Sequence, residues 1–244
     1  MNNLFENCYS LTSLDLSNFD TSNVSNMSYM FSGCKNLENL DINHFKTSNV
    51  EDMQYMFSRC ERLTILDLSN LYNTKCNNME GMFMNCSNLL FVNLINFYTS
   101  SVIKMESMFS GCINLFYLNL KNFIYNSVDN INNMFKDCIS LKYLDLRNSY
   151  IQEGISSNNS FENIFEDIYI CTQEPSLQNL IFENNLSINC SHICFEENIK
   201  FLIRNKTCIL NCQETLLDKY EYNIFCMENC PLGTHLVCRK EYLF

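Results

Sequence analysis

The chain is poor in the residues that usually punctuate a fold. Its 244 residues include only five Gly, two Pro, three His and no Trp. Tight turns must therefore be made by Asn, Ser and Asp, which accept left-handed backbone or bond to their own main chain. Basic residues are also scarce, with 16 Lys and Arg against 27 Asp and Glu and a formal net charge of −11. A nucleic-acid surface needs clustered cations, so that class is excluded as an expectation and a basic partner is more natural. No run of 18 apolar residues occurs, and no charged-then-apolar leader opens the chain. Phosphate loops, nucleophile elbows, dinucleotide fingerprints and H-E-x-x-H helices are missing too, so no enzymatic reaction, cofactor or metal is expected of the body of the chain.

What is present is a repeat. Aligning Phe5, Phe31, Phe57, Phe83, Phe109 and Phe135 gives a period of 26 residues through six copies without insertion or deletion. Each copy reads "F-x-x-C-x-x-L-x-x-L-x-L-x-x-F", as in Phe5, Cys8, Leu11, Leu14, Leu16 and Phe19, followed by Val24, Met27, Met30 and Phe31. Leu14 and Leu16 alternate with Ser13, Asp15 and Ser17, which is the period of a strand. The Val24, Met27, Met30, Phe31 spacing fits one face of a short helix, with Thr21 to Asn23 as N-cap candidates. A unit this small cannot bury its own apolar face, and stacking of neighbours supplies the core. The expectation is an α/β solenoid: six parallel strands forming a sheet roughly 24 Å wide on one side, and short helices on the other. By "SSNNSFENIF" the pattern has decayed, although Phe161 keeps the period.

The pattern resembles the BspA-like leucine-rich repeats, written around "LTSLDLSNFDTSNVSNMSYMFSGC", over residues 1 to about 160. It departs from the general leucine-rich pattern at the turn, where Phe19, Phe45, Leu71, Phe97, Phe123 and Ser149 stand one residue after an Asn column broken only by His44. The resemblance implies a cell-surface or secreted protein, in bacteria, mycoplasmas or protists, that adheres to host cells, matrix or other microbes. The Asn- and Ile-rich composition points toward a protist. Met1 occupies the column of Met27 and Met53, so the chain opens inside a repeat. The expectation is an internal methionine of a longer product whose upstream repeats and leader lie outside this sequence. The alternative is a true start with Leu11, Leu14 and Leu16 partly exposed.

Fifteen Cys divide into two sets. Cys8, Cys34, Cys60, Cys86, Cys112 and Cys138 form one repeat column, read as small buried hydrophobes, and Cys76 stands alone. The tail holds Cys171, three C-x3-C pairs (Cys190 and Cys194, Cys208 and Cys212, Cys226 and Cys230) at an 18-residue interval, and Cys238. "CMENCPLGTHLVC", residues 226 to 238, resembles a furin-like, growth-factor-receptor type of cysteine-rich unit, which implies disulfides with 105 possible connectivities for eight Cys. Zinc held by these Cys with His192 and His235 is the competing reading. Sequons at Asn185, Asn189 and Asn205, with others at Asn23, Asn26, Asn85 and Asn158, fit an exported glycoprotein. The expected domains are repeats over 1–160, a decayed, capping or linking segment over 161–189, and a cysteine-rich domain over 190–244.

The Asp column Asp15, Asp41, Asp67 and Asp145, interrupted by Asn93 and Asn119, is expected to face solvent as a plain polar row. Two flanking columns change along the stack. The first runs Ser13, Asn39, Ile65, Phe91, Tyr117, Tyr143 and the second Ser17, Asn43, Ser69, Ile95, Lys121, Arg147. Aromatic and Arg side chains anchor protein interfaces. Ile65, Phe91, Tyr117, Tyr143, Ile95, Lys121 and Arg147 are therefore the candidate contact residues for a protein or a host or matrix ligand. A cross-strand ladder, or burial beneath the cysteine-rich segment, would explain the same residues. Two alternatives to adhesion remain open: an intracellular scaffold with a zinc-binding tail, and the ectodomain of a larger receptor. Membrane association would come only through flanking sequence.

Overall fold

The computed structural model describes residues 1–191 in full and, beyond them, the backbone of five short strands between residues 200 and 240. Two compact units divide the chain, Met1–Ile188 and Asn189–Phe244.

The first unit is a solenoid of 26-residue coils. Its axis is marked by seven Phe rings, from Phe5 to Phe161, with successive centroids 5.3–6.1 Å apart. The first five ring pairs are nearly parallel and the last, Phe135 on Phe161, is tilted by 33°. Around this ladder the columns of Met27, Met30, Cys34 and Leu37 are almost fully buried from the second coil to the sixth. Phe161 continues the ladder into a seventh coil, so the core runs on beyond the letter-perfect repeats.

One side of each coil carries the Leu-x-Leu stretch. Strands β1 (Ile65–Asp67), β2 (Phe91–Asn93), β3 (Tyr117–Asn119), β4 (Tyr143–Asp145) and β5 (Tyr169–Cys171) lie parallel, each in register with the residue 26 positions on. They form a pair, β1–β2, and a three-stranded sheet, β3–β4–β5. The expected six-strand sheet is corrected here, because Leu14–Leu16 and Leu40–Ile42 are not strands. Their outward neighbours are Ser13 and Asn39, whereas the later coils have Ile, Phe or Tyr. Cross-strand pairs of β-branched and aromatic side chains are what stabilise a three-residue ladder, and the first two coils lack them.

The opposite side overturns the expected helices. From Met27 to Cys34 the backbone makes consecutive turns in which two kinds of hydrogen bond alternate. Met27, Tyr29, Phe31 and Gly33 donate their N–H groups to Asp52, Gln54, Met56 and Ser58 of the next coil, while Met30, Ser32 and Cys34 donate to the residue three before. Tyr29 and Gly33 are left-handed (φ 55° and 74°), and so are the equivalents of both in every coil from Asn3 and Asn7 to Asn159 and Asn163. A helix would keep those N–H groups within one turn. Sharing them between coils satisfies the same three- and four-residue apolar spacing while joining each coil to its neighbour. Gly81 fits this scheme tightly, since a Cβ there would collide with the Tyr55 ring.

After β5 the helix α1 (Pro175–Glu183) closes the unit, burying Leu177, Leu180 and Ile181. At the other end Leu11 and Leu14 are half-buried and Leu16 is buried. The second unit contains a five-stranded sheet: β6 (Lys200–Leu202), β7 (Thr207–Ile209), β8 (Tyr220–Tyr222), β9 (Phe225–Met227) and β10 (Arg239–Lys240), in the order β10–β8–β9–β6–β7. Only β6 and β9 are parallel within it.

Candidate binding surface

The polar columns have structural duties. Asp15, Asp41, Asp67, Asn93, Asn119 and Asp145 each accept, through Oδ1, the backbone N–H two residues on, at 2.9–3.3 Å. Each such bond turns the chain at the end of the Leu-x-Leu stretch. For Asp15 it is also what lowers the carboxyl pKa, the Ser17 N–H being the main cause. Asp145 differs from the rest in being fully buried, where it takes a two-point ion pair from Arg147 (Nη2 to Oδ2 2.7 Å, Nε to Oδ1 2.9 Å). The solvent-facing row expected from sequence is therefore a row of turn formers whose last carboxylate is interior.

The cysteine column is interior from Cys34 onward. Cys34, Cys60, Cys86, Cys112 and Cys138 direct their Sγ to the carbonyls of Phe5, Phe31, Phe57, Phe83 and Phe109 at 3.0–3.2 Å. Burial pushes the Cys86 and Cys138 thiols up to about 12 and the Cys34 thiol up to about 11. Such thiols are unreactive. Cys76 occupies the slot that Val50 and Val102 fill in neighbouring coils and is equally buried. Among the described residues Cys8 alone of the free cysteines is exposed.

Of the tail cysteines, Cys171 and Cys190 are disulfide-bonded. The candidates Cys194, Cys208, Cys212, Cys226, Cys230 and Cys238, with His192, His235 and Asn205, lie outside the residues whose side chains are described. Asn185 and Asn189 are exposed, and Asn189 Oδ1 accepts from both the N–H (3.0 Å) and the hydroxyl (2.7 Å) of Ser191. Among the described residues no group of three His, Cys, Asp or Glu side chains is placed to hold a metal ion. No helix among them is long and apolar enough to cross a membrane.

The candidate contact residues separate into two kinds. Phe91, Tyr117 and Tyr143 are buried, at 4%, 7% and 4% exposure, contrary to the expectation that they stand in solvent. Their rings stack at coil pitch, Phe91 on Tyr117 at 6.3 Å and Tyr143 on Tyr169 at 5.4 Å, and Phe116 meets Tyr143 edge-on at 5.5 Å. This is a cross-strand aromatic ladder. Burial, with the Asp145 carboxylate nearby, drives the Tyr117 phenol well above its ordinary pKa. Ile65 and Lys121 are half-buried, and Arg147 is committed to Asp145. Ile95 is the one strongly exposed member, at 71%.

A different row stands in solvent. The corner that follows the sheet carries Tyr72, Tyr98, Ile124 and Tyr150 at equivalent positions of four consecutive coils, and the three Tyr are 50–52% exposed. The backbone beneath them is fixed coil to coil. Asn73 Nδ2 donates to the Tyr98 carbonyl (2.8 Å) and its Oδ1 accepts the Tyr98 N–H (3.1 Å), while Ile124 pairs with Tyr150 in a parallel bridge. Residues alternate outward and inward across this corner. Exposed Asn70, Asn96, Asn122 and Asn148 lie on one flank of the row, and exposed Thr74, Ser100, Asn126 and Gln152 on the other. The stretches 70–74, 96–100, 122–126 and 148–152 contain no charged residue. Sequence reading passed over the Tyr column because Asp20 and Lys46 begin it. The usable signal was the change from charge to aromatic at the third coil.

The family described as "Mycoplasma protein of unknown function, DUF285" matches residues 1–90 and 64–174. No curated protein and no solved structure matches the chain. The two overlapping matches span every coil of the solenoid, fit the BspA-like repeat pattern, and reach past β5 to the foot of α1. On that coverage, the chain belongs to the DUF285 family of repeat proteins.

Proposed function

We propose that this protein is a non-enzymatic binding protein of the cell surface or the secreted fraction, in which the solenoid presents side chains for adhesion to a protein or to a host or matrix surface. The observation that carries this reading is the solvent-facing row Tyr72, Tyr98 and Tyr150, with exposed Ile95 beside it, held at coil pitch on a backbone bonded from coil to coil. Side chains pre-positioned in this way lose little freedom on binding, which is where rigid repeat surfaces gain affinity. The candidate face thus moves from the buried ladder of Phe91, Tyr117 and Tyr143 to the neighbouring corner. Disulfides at Cys171 and Cys190 support an oxidising compartment over an intracellular zinc scaffold. Under the same reading residues 190–244 are a furin-like, disulfide-linked module, and the exposed sequons at Asn185 and Asn189 carry glycans.

The test has two parts. Intact mass after thiol alkylation without reduction, with glycans removed enzymatically, reports export: oxidised tail cysteines support it, and fifteen free thiols overturn it. Adhesion of the purified protein to host cells and immobilised matrix is then compared with that of the Tyr72→Ser, Tyr98→Ser, Tyr150→Ser triple variant. Lost adhesion at unchanged melting temperature supports the corner as the contact face. Adhesion equal to wild type removes the corner from that role.

A further inference from the structure

Resting on the reading of the solenoid as a binding module, the chemistry of the corner narrows the partner. We infer that the corner ridge binds a neutral, extended polysaccharide lying along the stacking axis, with sugar rings on Tyr72, Tyr98 and Tyr150 and sugar hydroxyls on the flanking Asn and Ser/Thr rows.

Three observations support this. The first is amphipathic matching. A pyranose ring has apolar C–H faces and a rim of hydroxyls, so a site for it needs aromatic surface in the middle and hydrogen-bonding groups at the sides. The corner has that cross-section in successive coils, with an exposed Tyr between an exposed Asn and an exposed Thr, Ser or Gln. The phenol ring offers apolar contact area and a polar tip with little rotamer freedom to lose.

The second is charge. In a chain with 18% charged residues, the four stretches that form the ridge have none. Charge stands only at the borders of the ridge, at Lys75, Lys121, Arg147 and Glu153, and not among the Tyr or their Asn, Thr, Ser and Gln flanks, whereas a partner made of hydroxyl groups needs only amides and hydroxyls. The flanking amides keep capacity for this. Asn96 spends one Nδ2 hydrogen on the Ser69 carbonyl at 2.7 Å, and Asn148 spends one on Asn122 Oδ1 at 3.2 Å. Each Asn side chain has two donor hydrogens and an acceptor oxygen, so one donor remains on each.

The third is period. Parallel backbone bonding sets neighbouring coils about 4.8 Å apart, close to the advance per residue of an extended glycan. Tyr72 and Tyr98 are one coil apart, and Tyr98 and Tyr150 are two coils apart with the smaller Ile124 between them. A linear polymer with one ring per coil would meet all three without bending. The ridge begins where charge ends, since the same column holds Asp20 and Lys46 in the first two coils, which places the site on coils three to six.

The inference is tested with the full chain by affinity electrophoresis in native gels containing hydroxyethyl cellulose, galactomannan or glycol chitin, all uncharged. Retardation by at least one of these polymers is expected, unchanged between low and high salt. Replacing Tyr72, Tyr98 and Tyr150 together by Ser should weaken it about tenfold or more, and replacing them together by Phe should preserve most of it. All three side chains are half exposed, so a melting curve for each variant separates lost binding from lost fold. No retardation in any of the three polymers, or retardation equal in wild type and the Ser variant, overturns the inference. If the Ser variant also loses adhesion to a matrix protein free of glycans while no polymer retards the wild type, the ridge is a peptide-binding surface. In that case the adhesion reading stands and the polysaccharide does not.

Discussion

The two long sides of the solenoid repeat with unequal fidelity. On the turn side, the Met, Phe and Cys columns recur almost letter for letter, and inter-coil hydrogen bonds run from the first coil to the seventh without a gap. On the sheet side the inward Leu positions persist but the outward ones drift from Ser to Tyr. There the strands are absent from the first two coils and the ladder divides between β2 and β3, where Phe116 N–H reaches Leu90 carbonyl at only 3.4 Å. The turn side is the constructional side, because each of its residues must satisfy a left-handed backbone, a buried slot and a neighbour's hydrogen bond together. The sheet side is free to vary outward, and the corner beside it is where solvent-facing chemistry accumulates.

Alkali should expose this contrast most strongly, because the turn side stores its thiols protonated. An unfolded Cys titrates near 8.5, while Cys34 is raised to about 11 and Cys76, Cys86 and Cys138 to about 12 in the fold. The stabilisation is complete below the unfolded value, and it is lost as pH rises from there toward the folded values, since only the unfolded chain then releases the protons. Each thiol contributes a loss of about 1.4 kcal/mol per pH unit. Melting temperature under reducing conditions should fall steeply from pH 8.5 to 10.5, and less steeply when Cys86 and Cys112 are Val. A flat profile would break the comparison.

Phe83→Ala, at the middle of the ring ladder, comes next. Phe83 is fully buried between Phe57 and Phe109, at 5.6 and 5.3 Å. Truncation should cost about 3–5 kcal/mol in denaturant unfolding, and amide exchange should quicken in the coils on both sides. Exchange that quickens only on the sheet side would reverse the assignment of the constructional side.

The smallest effects sharpen the role of single columns. Cys86→Ala removes a thiol bonded to the Phe57 carbonyl at 3.0 Å and should cost about 1 kcal/mol. Cys76→Val restores the residue type of the neighbouring coils and should change stability by less than about 1 kcal/mol. The Cys76 Sγ reaches the Asn78 carbonyl at 3.5 Å, so equal losses for the two would mean that the shorter bond of Cys86 contributes no more than the longer one.

Much of the solenoid was legible in the sequence because its columns are set by burial. Phe, Met, Leu and Cys at a 26-residue period leave stacking as the way to hide them. The helix expectation failed for a definite reason: spacing at three and four residues reports which side chains point inward, not where the backbone N–H groups go. Tyr29, Tyr55 and Ser107 are left-handed without being Gly or Asn, so residue type marks the first turn position weakly, whereas the second, at Asn7, Gly33, Asn85, Gly111 and Asn163, is marked by Gly and Asn. The candidate surface was half legible. Alternation placed Phe91, Tyr117 and Tyr143 on the face opposite Leu66 and Leu118, but the ladder in which they stack is buried. Nothing in residue type separates Tyr98, half exposed, from Tyr117, which is buried.

The unidirectional bonding on the turn side has an electrical consequence. Between Met27 and Cys34 and their equivalents, the backbone N–H groups that leave the coil point to the following one, as from Phe31 to Met56, Phe57 to Met82 and Phe135 to Ser160, while a smaller set just upstream, such as Glu51 to Ser25 and Asn77 to Glu51, points back. Peptide dipoles aligned head to tail add up, as they do along a helix. Here the positive pole lies at the downstream end, the reverse of an α-helix read in the same chain direction. The seventh coil, at that pole, carries Glu162, Glu166 and Asp167 and no Lys or Arg. This segment of each coil therefore adds a dipole along the stack, and acidic residues stand at its positive end.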